Sequence, residues 1–240
     1  MRGFIEGEYQ DGEIRGCGFI GGVRGMGKTT EMARLLSACL GGYIFFDPLS
    51  KHENVLPGAR LIRQPGELKD YVGVNRKRRF AVLYQPNSGE VDAHFRALCM
   101  VARAYGWMTL AIDELDMLCG PRWGDTRMCP ELYHLVNYGR HCRVSLLATA
   151  RRPMNVARGF TSQCQQMRLF HTREKADVRY FEEYIGQSEA QRLPSLPRFH
   201  YLLWTGDGEA GTYIGGRPVG SARGNGASAQ TWQGRTPAGR

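Results

Sequence analysis

Residues Gly22-Val-Arg-Gly-Met-Gly-Lys-Thr29 match the spacing G-x-x-x-x-G-K-[ST]. That spacing suits the binding of phosphate, because glycines let backbone N–H groups curl around phosphate oxygens and a helix N-terminus adds positive potential. It predicts that Gly22, Val23, Arg24, Gly25, Met26, Gly27, Lys28, Thr29 and Thr30 hold a nucleoside triphosphate. Lys28 would reach the β and γ phosphates and the Thr29 hydroxyl would ligate Mg2+, making ATP and Mg2+ the expected cofactors. A second signal is the apolar run Trp107 to Ile112, which ends in Asp113-Glu114. An aspartate at such a strand end is expected to hold the magnesium shell. A carboxylate directly after it can polarise an attacking water, a role that hydrolases need and simple switches mostly lack. A third apolar run, Arg143 to Thr149, ends in a polar residue followed by Ala150-Arg151-Arg152-Pro153.

These groups act together only if a scaffold carries them to one place. Apolar stretches of strand length, at Cys17–Ile20, Tyr43–Phe46, Phe80–Tyr84, Met108–Ile112 and Val144–Ala148, alternate with stretches of helical period. The alternation predicts an α/β fold with a mainly parallel central sheet flanked by helices. Met32, Leu35, Leu36 and Leu40 recur at helical spacing before Gly41-Gly42, which predicts a helix closed by a glycine C-cap. Further helices are predicted near Val91–Tyr105, Pro130–Arg140 and Lys175–Ile185. In the glutamate-bearing (ASCE) class of P-loop NTPases, the strand ending at Thr149 lies between the phosphate-loop strand and the Asp-Glu strand. Thr149 would then face the γ-phosphate as a sensor.

The spaced set resembles the FtsK-HerA superfamily of ring-shaped, RecA-like DNA-pumping ATPases. Its members carry a Gly-Arg ahead of a strand, then Ala-Thr-Gln-Arg-Pro, then a strand and a downstream aspartate. Here the matching residues are Gly139-Arg140, Ala148-Thr149-Ala150-Arg-Arg-Pro153 and Asp177, and the resemblance spans roughly Cys17 to Gly186. The family's sensor glutamine aligns with Ala150, so the sensor role either passes to Thr149 or is weakened. By the same resemblance Arg140 is the candidate arginine finger, supplied across a subunit boundary, with Arg143 as runner-up. Arg151 and Arg152 could touch either DNA phosphates or the nucleotide.

The 240 residues, 42% hydrophobic and 23% charged, fit one full-sized domain with a smaller appendage. The expected division is a P-loop ATPase domain over 1–205 and a Gly/Arg-rich, disordered tail over 206–240. No apolar run approaches the roughly 20 residues a membrane-spanning helix needs, and nothing at the N-terminus marks the chain for secretion. Seven scattered cysteines without a CxxC pair fit reduced thiols, and the group Cys129, His134, His141 and Cys142 matches no common zinc-finger spacing. A formal charge of +9 raises the expectation of a polyanionic partner.

Among the superfamily, stand-alone cores of this length resemble the genome-packaging ATPases of tailless, internal-membrane viruses. The resemblance implies a homo-oligomeric, hexameric ring that moves double-stranded DNA into a capsid. It also implies docking to a capsid or viral membrane protein at a portal vertex, in the host cytoplasm or the virion. Two alternatives stand beside it: a zonula-occludens-toxin-like assembly ATPase of filamentous phages, and a non-motor ATP-dependent switch.

Overall fold

The computed structural model describes residues 16–39, 41–87, 89–206 and 210–215, the last segment by its backbone. Among them, nine strands form one sheet in the order β3-β4-β2-β5-β6-β1-β7-β8-β9. The strands are β1 (Cys17–Gly21), β2 (Gly42–Phe46), β3 (Arg60–Ile62), β4 (Ala81–Tyr84), β5 (Met108–Ile112), β6 (Val144–Ala150), β7 (Cys164–Phe170), β8 (His200–Thr205) and β9 (Ala210–Gly215). Strands β1 to β7 pair in parallel, whereas β8 and β9 extend the β7 edge antiparallel. Strand β6 lies between β1 and β5, as the ASCE reading requires.

Period-two alternation explains how the sheet is covered. Phe19, Ile44, Leu110 and Leu146 point to one face, and Ile20, Phe45, Ala111 and Leu147 to the other. The first face packs under α2 (Pro65–Asn75), α3 (Val91–Tyr105), α5 (Pro130–Tyr138) and α7 (Lys175–Ala190), through residues such as Leu68, Phe95, Leu132 and Phe181. The second packs under α1 (Lys28–Ala38), through Met32, Leu35 and Leu36. Two one-turn helices, α4 (Leu115–Leu118) and α6 (Arg158–Thr161), complete the order. Each fully buried large apolar side chain contributes about 1.5–3 kcal/mol, against roughly 0–1 kcal/mol for an exposed ion pair, so the two apolar faces hold the fold.

One expectation is corrected. Helix α1 does not end in a glycine cap: it stops at Ala38, with Cys39 extended, and Gly42 opens β2. Gly42 is needed for packing, since a Cβ there would lie 2.1 Å from the Phe80 ring. The helix expected near Lys175–Ile185 forms there, breaks at Gly186, which takes φ 77° and ψ 162°, and resumes to Ala190. The last strand of the sheet, β9, pairs with β8 over Ala210–Gly215. The tail expectation beyond that strand, 216–240, lies outside the described residues. Among the described residues no helix is long and apolar enough to cross a membrane.

Candidate active site

The turn from β1 into α1 is shaped by its glycines. Gly22, Gly25 and Gly27 take φ 143°, 82° and 109°, a region that side chains with a Cβ avoid. Gly27 is the N-cap of α1 and supplies no side-chain cap, so the first N–H groups of the helix face the loop's hollow with their partial positive charge. Lys28 is buried and donates through Nζ to the carbonyls of Gly22 (2.7 Å) and Val23 (3.0 Å). Its burial lowers its pKa, while the nearby carboxylates of Glu114 and Asp113 pull the other way.

The acidic pair at the end of β5 is locked from its neighbour β6. The Thr149 hydroxyl donates to Asp113 Oδ1 at 2.6 Å and accepts the Glu114 N–H at 3.0 Å. A hydroxyl has one proton, and this one goes to Asp113. Thr149, expected to face a phosphate as a sensor, is bonded to both members of the Asp-Glu pair. Glu114 takes φ 54°, strained for a non-glycine residue. Its Oε1 accepts Arg151 Nε at 2.6 Å, and its buried Oε2 has no partner among the described residues. Burial, followed by the Asp113 charge, pushes the Glu114 carboxyl above the ordinary range, with Arg151 opposing.

The two arginines left open by the sequence thus have definite partners. Arg151 pairs with Glu114, and Arg152 Nε pairs at 2.9 Å with Asp177. Their backbone N–H groups both reach the Asp116 carboxylate, at 3.4 and 3.2 Å. Asp177, 2% exposed in the first turn of α7, also accepts the Met154 N–H at 3.1 Å, so it anchors the turn after β6.

Arg140 and Arg143 lie at the other end of β6. Arg140 is exposed in the 3-10 turn Gly139–Cys142, and Arg143 stacks over the Trp107 ring at 4.9 Å. Seven residues of β6 at about 3.3 Å each separate that end from Thr149 by about 20 Å. Both guanidinium groups therefore lie at the end of β6 opposite the Asp-Glu pair.

Sequence reasoning missed Asp47, His52 and Gln85. His52 Nε2 lies 3.0 Å from Asp113 Oδ2, and Asp47 Oδ2 accepts from Lys51 N, His52 N and Gln85 Nε2. The signal was present, since Asp47 follows the apolar run Tyr43–Phe46 as Asp113 follows Met108–Ile112. Also missed was a clasp on the loop itself. The Phe199 N–H donates to the Met26 carbonyl (3.0 Å), Arg198 Nε donates to the Gly25 carbonyl (2.9 Å), and a Cβ on Gly27 would lie 2.6 Å from the Phe199 ring.

The donors offered by Thr29 and Asp113 are hard oxygens, the set that suits Mg2+. Both Asp113 oxygens are already oriented, by Thr149 and by His52. The sequence matches no protein-family model and no curated protein. Solved structures do match. The genome packaging NTPase B204 from Sulfolobus turreted icosahedral virus 2, in complex with ATP-gammaS, superposes with a TM-score of 0.65 at 18% identity, over 88% of this chain and 100% of that chain. VirB4 of Thermoanaerobacter pseudethanolicus superposes with a TM-score of 0.60 at 11% identity, over 81% of this chain and 88% of that one. The chain shares the fold of these solved structures, a mainly parallel sheet flanked by helices. B204 from Sulfolobus turreted icosahedral virus, described as a DNA-packaging ATPase, gives a TM-score of 0.60 at 18% identity over 79% of this chain and 92% of that one. Within this shared fold, Lys28, Asp113, Glu114 and Arg151 converge at the carboxyl ends of β1, β5 and β6, the edge where open α/β sheets bind ligands.

Proposed function

We propose that this protein is an ATP-hydrolysing motor that packages double-stranded DNA. The observation that carries the reading is the buried Asp113-Glu114 pair, locked by Thr149 and lying within electrostatic reach of Lys28. A simple nucleotide switch has no need of that second, strained and desolvated carboxylate. In this reading Gly22 to Thr30 cradle the triphosphate, and Lys28 leaves the Gly22 and Val23 carbonyls for the β and γ phosphates. Thr29 and Asp113 hold Mg2+, which supplies charge neutralisation at the phosphate oxygens when bound. Glu114 orients the attacking water and takes its proton. Arg140 acts on the neighbouring subunit's nucleotide in a ring, with Arg143 held back by its stacking on Trp107.

Packaging is favoured over the other activities of this fold because the chain aligns along the whole of a packaging NTPase. The formal charge of +9 suits a partner read through its phosphates, which position a protein without specifying sequence. The test is steady-state ATPase activity with and without duplex DNA, at low and moderate salt, with Glu114→Gln as the blank. Stimulation by DNA that weakens as salt rises is the expected result. Hydrolysis indifferent to DNA at every salt points to a filamentous-phage-type assembly ATPase, and binding without turnover points to a switch.

A further inference from the structure

Among the described residues, Arg151 is the one guanidinium bonded directly to Glu114, at the strand edge that also carries Lys28 and Asp113. It stands one position past the end of β6, its backbone N–H held by Asp116, its side chain 34% exposed and bonded through Nε to Glu114 Oε1. It is also close enough to Lys28 for its charge to act on that ammonium. Lys28 marks where the outer phosphates go, so Arg151 stands between two anions, the Glu114 carboxylate and a terminal phosphate. The carboxylate offers one negative charge and has a second oxygen left buried without a partner among the described residues. A terminal phosphate offers more charge and several acceptor oxygens, two of which a planar arginine fork can grip at once.

We propose that Arg151 is a catalytic arginine supplied in cis, which turns from Glu114 to the γ-phosphate of bound ATP and thereby frees Glu114 to orient the attacking water. The proposal rests on the ATPase reading of the site and adds a coupling to it: the group that senses the γ-phosphate also restrains the base. ADP, lacking that phosphate, leaves the Arg151–Glu114 bond in place, so the water-activating carboxylate stays restrained after turnover. With ATP, the water oxygen bonds to the γ-phosphorus and its proton passes to Glu114. The bond from that phosphorus to the bridging oxygen breaks, leaving its electron pair on ADP, while Arg151 follows the charge on the departing phosphate. The residue is distinct from Arg140, which lies at the opposite end of the same strand and, in the proposed reading, acts between subunits.

The test is a double-substitution cycle on the full chain, reading affinity for ATPγS and for ADP by titration calorimetry. In the wild type, Arg151 divides itself between Glu114 and the phosphate. Glu114→Gln removes the competitor and is expected to tighten ATPγS about tenfold while leaving ADP unchanged. Arg151→Ala is expected to erase the preference for ATPγS over ADP. In Glu114→Gln/Arg151→Ala the gain from Glu114→Gln is expected to vanish, a coupling that independent residues do not show. Plain relief of charge repulsion between Glu114 and the phosphate predicts the opposite: the tightening persists when Arg151 is absent, and that result overturns the proposal. Unchanged ATPγS/ADP discrimination in Arg151→Ala also overturns it. Because the double variant removes both charges together, it leaves no buried carboxylate without its partner and keeps the cycle readable if Arg151→Ala alone folds poorly. Arg151→Lys, which keeps the charge but not the fork, is expected to restore the discrimination in part. Loss of discrimination in Arg151→Ala, beside a wild type that never hydrolyses ATP, would retain the sensor and refute the motor, so the two failures are separable.

Discussion

The two ends of strands β5 and β6 carry the same kinds of residue and hold them in opposite ways. At the carboxyl end, buried Thr149, Asp113 and Glu114 are bonded to one another or to partly buried partners: Thr149 to Asp113, Asp113 to His52, Glu114 to Arg151. At the amino end, Gly106, Trp107 and Arg143 turn the chain with φ of 61°, 53° and 58°, and backbone bonds such as Trp107 N–H to the Cys142 carbonyl close the corner. There the guanidinium of Arg143 lies over an indole and that of Arg140 stands in solvent. Burying charge costs stability unless every partner is in place, so a network like the one at the carboxyl end is retained for chemistry. Arginines in solvent cost little, and they remain available to another molecule.

The contrast can be broken in four ways. The largest effect is expected from Lys28→Ala, which removes the group that grips the outer phosphates. Titration with a fluorescent ATP analogue should show affinity lowered by about 100-fold, with turnover lost. Next comes Arg140→Ala at the opposite end, where loss of the proposed finger is expected to lower kcat by about 10³-fold. Mixing that variant with Lys28→Ala is expected to recover part of the activity, since each supplies what the other lacks; no recovery would make the amino end purely structural. Glu114→Gln is expected to lower kcat by about 10²-fold or more while binding is retained, and normal hydrolysis by that variant would remove Glu114 from water activation. The smallest change at the site is expected from Gly106→Ala. Its Cβ would meet the Cys142 carbonyl at 2.2 Å in a positive-φ corner, so about 1–3 kcal/mol of stability is lost and the Tm falls by several degrees. Nucleotide affinity measured below that Tm should not change.

What the sequence made legible follows from how local each signal is. Gly22 to Thr29 and Asp113-Glu114 could be read because a phosphate loop and a strand-end carboxylate are each defined by a few adjacent residues and the apolar run beside them. The helix Val91–Tyr105 was legible for the same reason, its apolar positions recurring at helical spacing and Gly106 following. Asp47 and His52 were not, because they meet Asp113 only after a crossover sets β2 beside β5. The position of Arg151 could be read, but its partner could not. Which acidic group it meets depends on β6 pairing with β5 in a register that sets Ala148 against Ile112 and so brings the ends of the two strands together. The bonds of Thr149 were hidden for a related reason: a threonine that ends a strand can face a ligand or a neighbouring strand, and only the sheet's register decides. The antiparallel pair β8 and β9 gave little signal, since His200–Thr205 is short and Ala210–Gly215 begins and ends among glycines.

The clasp of Arg198 and Phe199 on the phosphate loop has a kinetic consequence. Phe199 holds φ 64° while its N–H and its ring both engage the loop, at Met26 and Gly27. A loop braced in this way acquires its curvature when the chain folds, and an arriving triphosphate meets a finished mould instead of a segment it must first organise. On the proposed reading, capture is then expected to be limited by encounter, leaving the tempo of a repeating cycle to how quickly spent nucleotide departs.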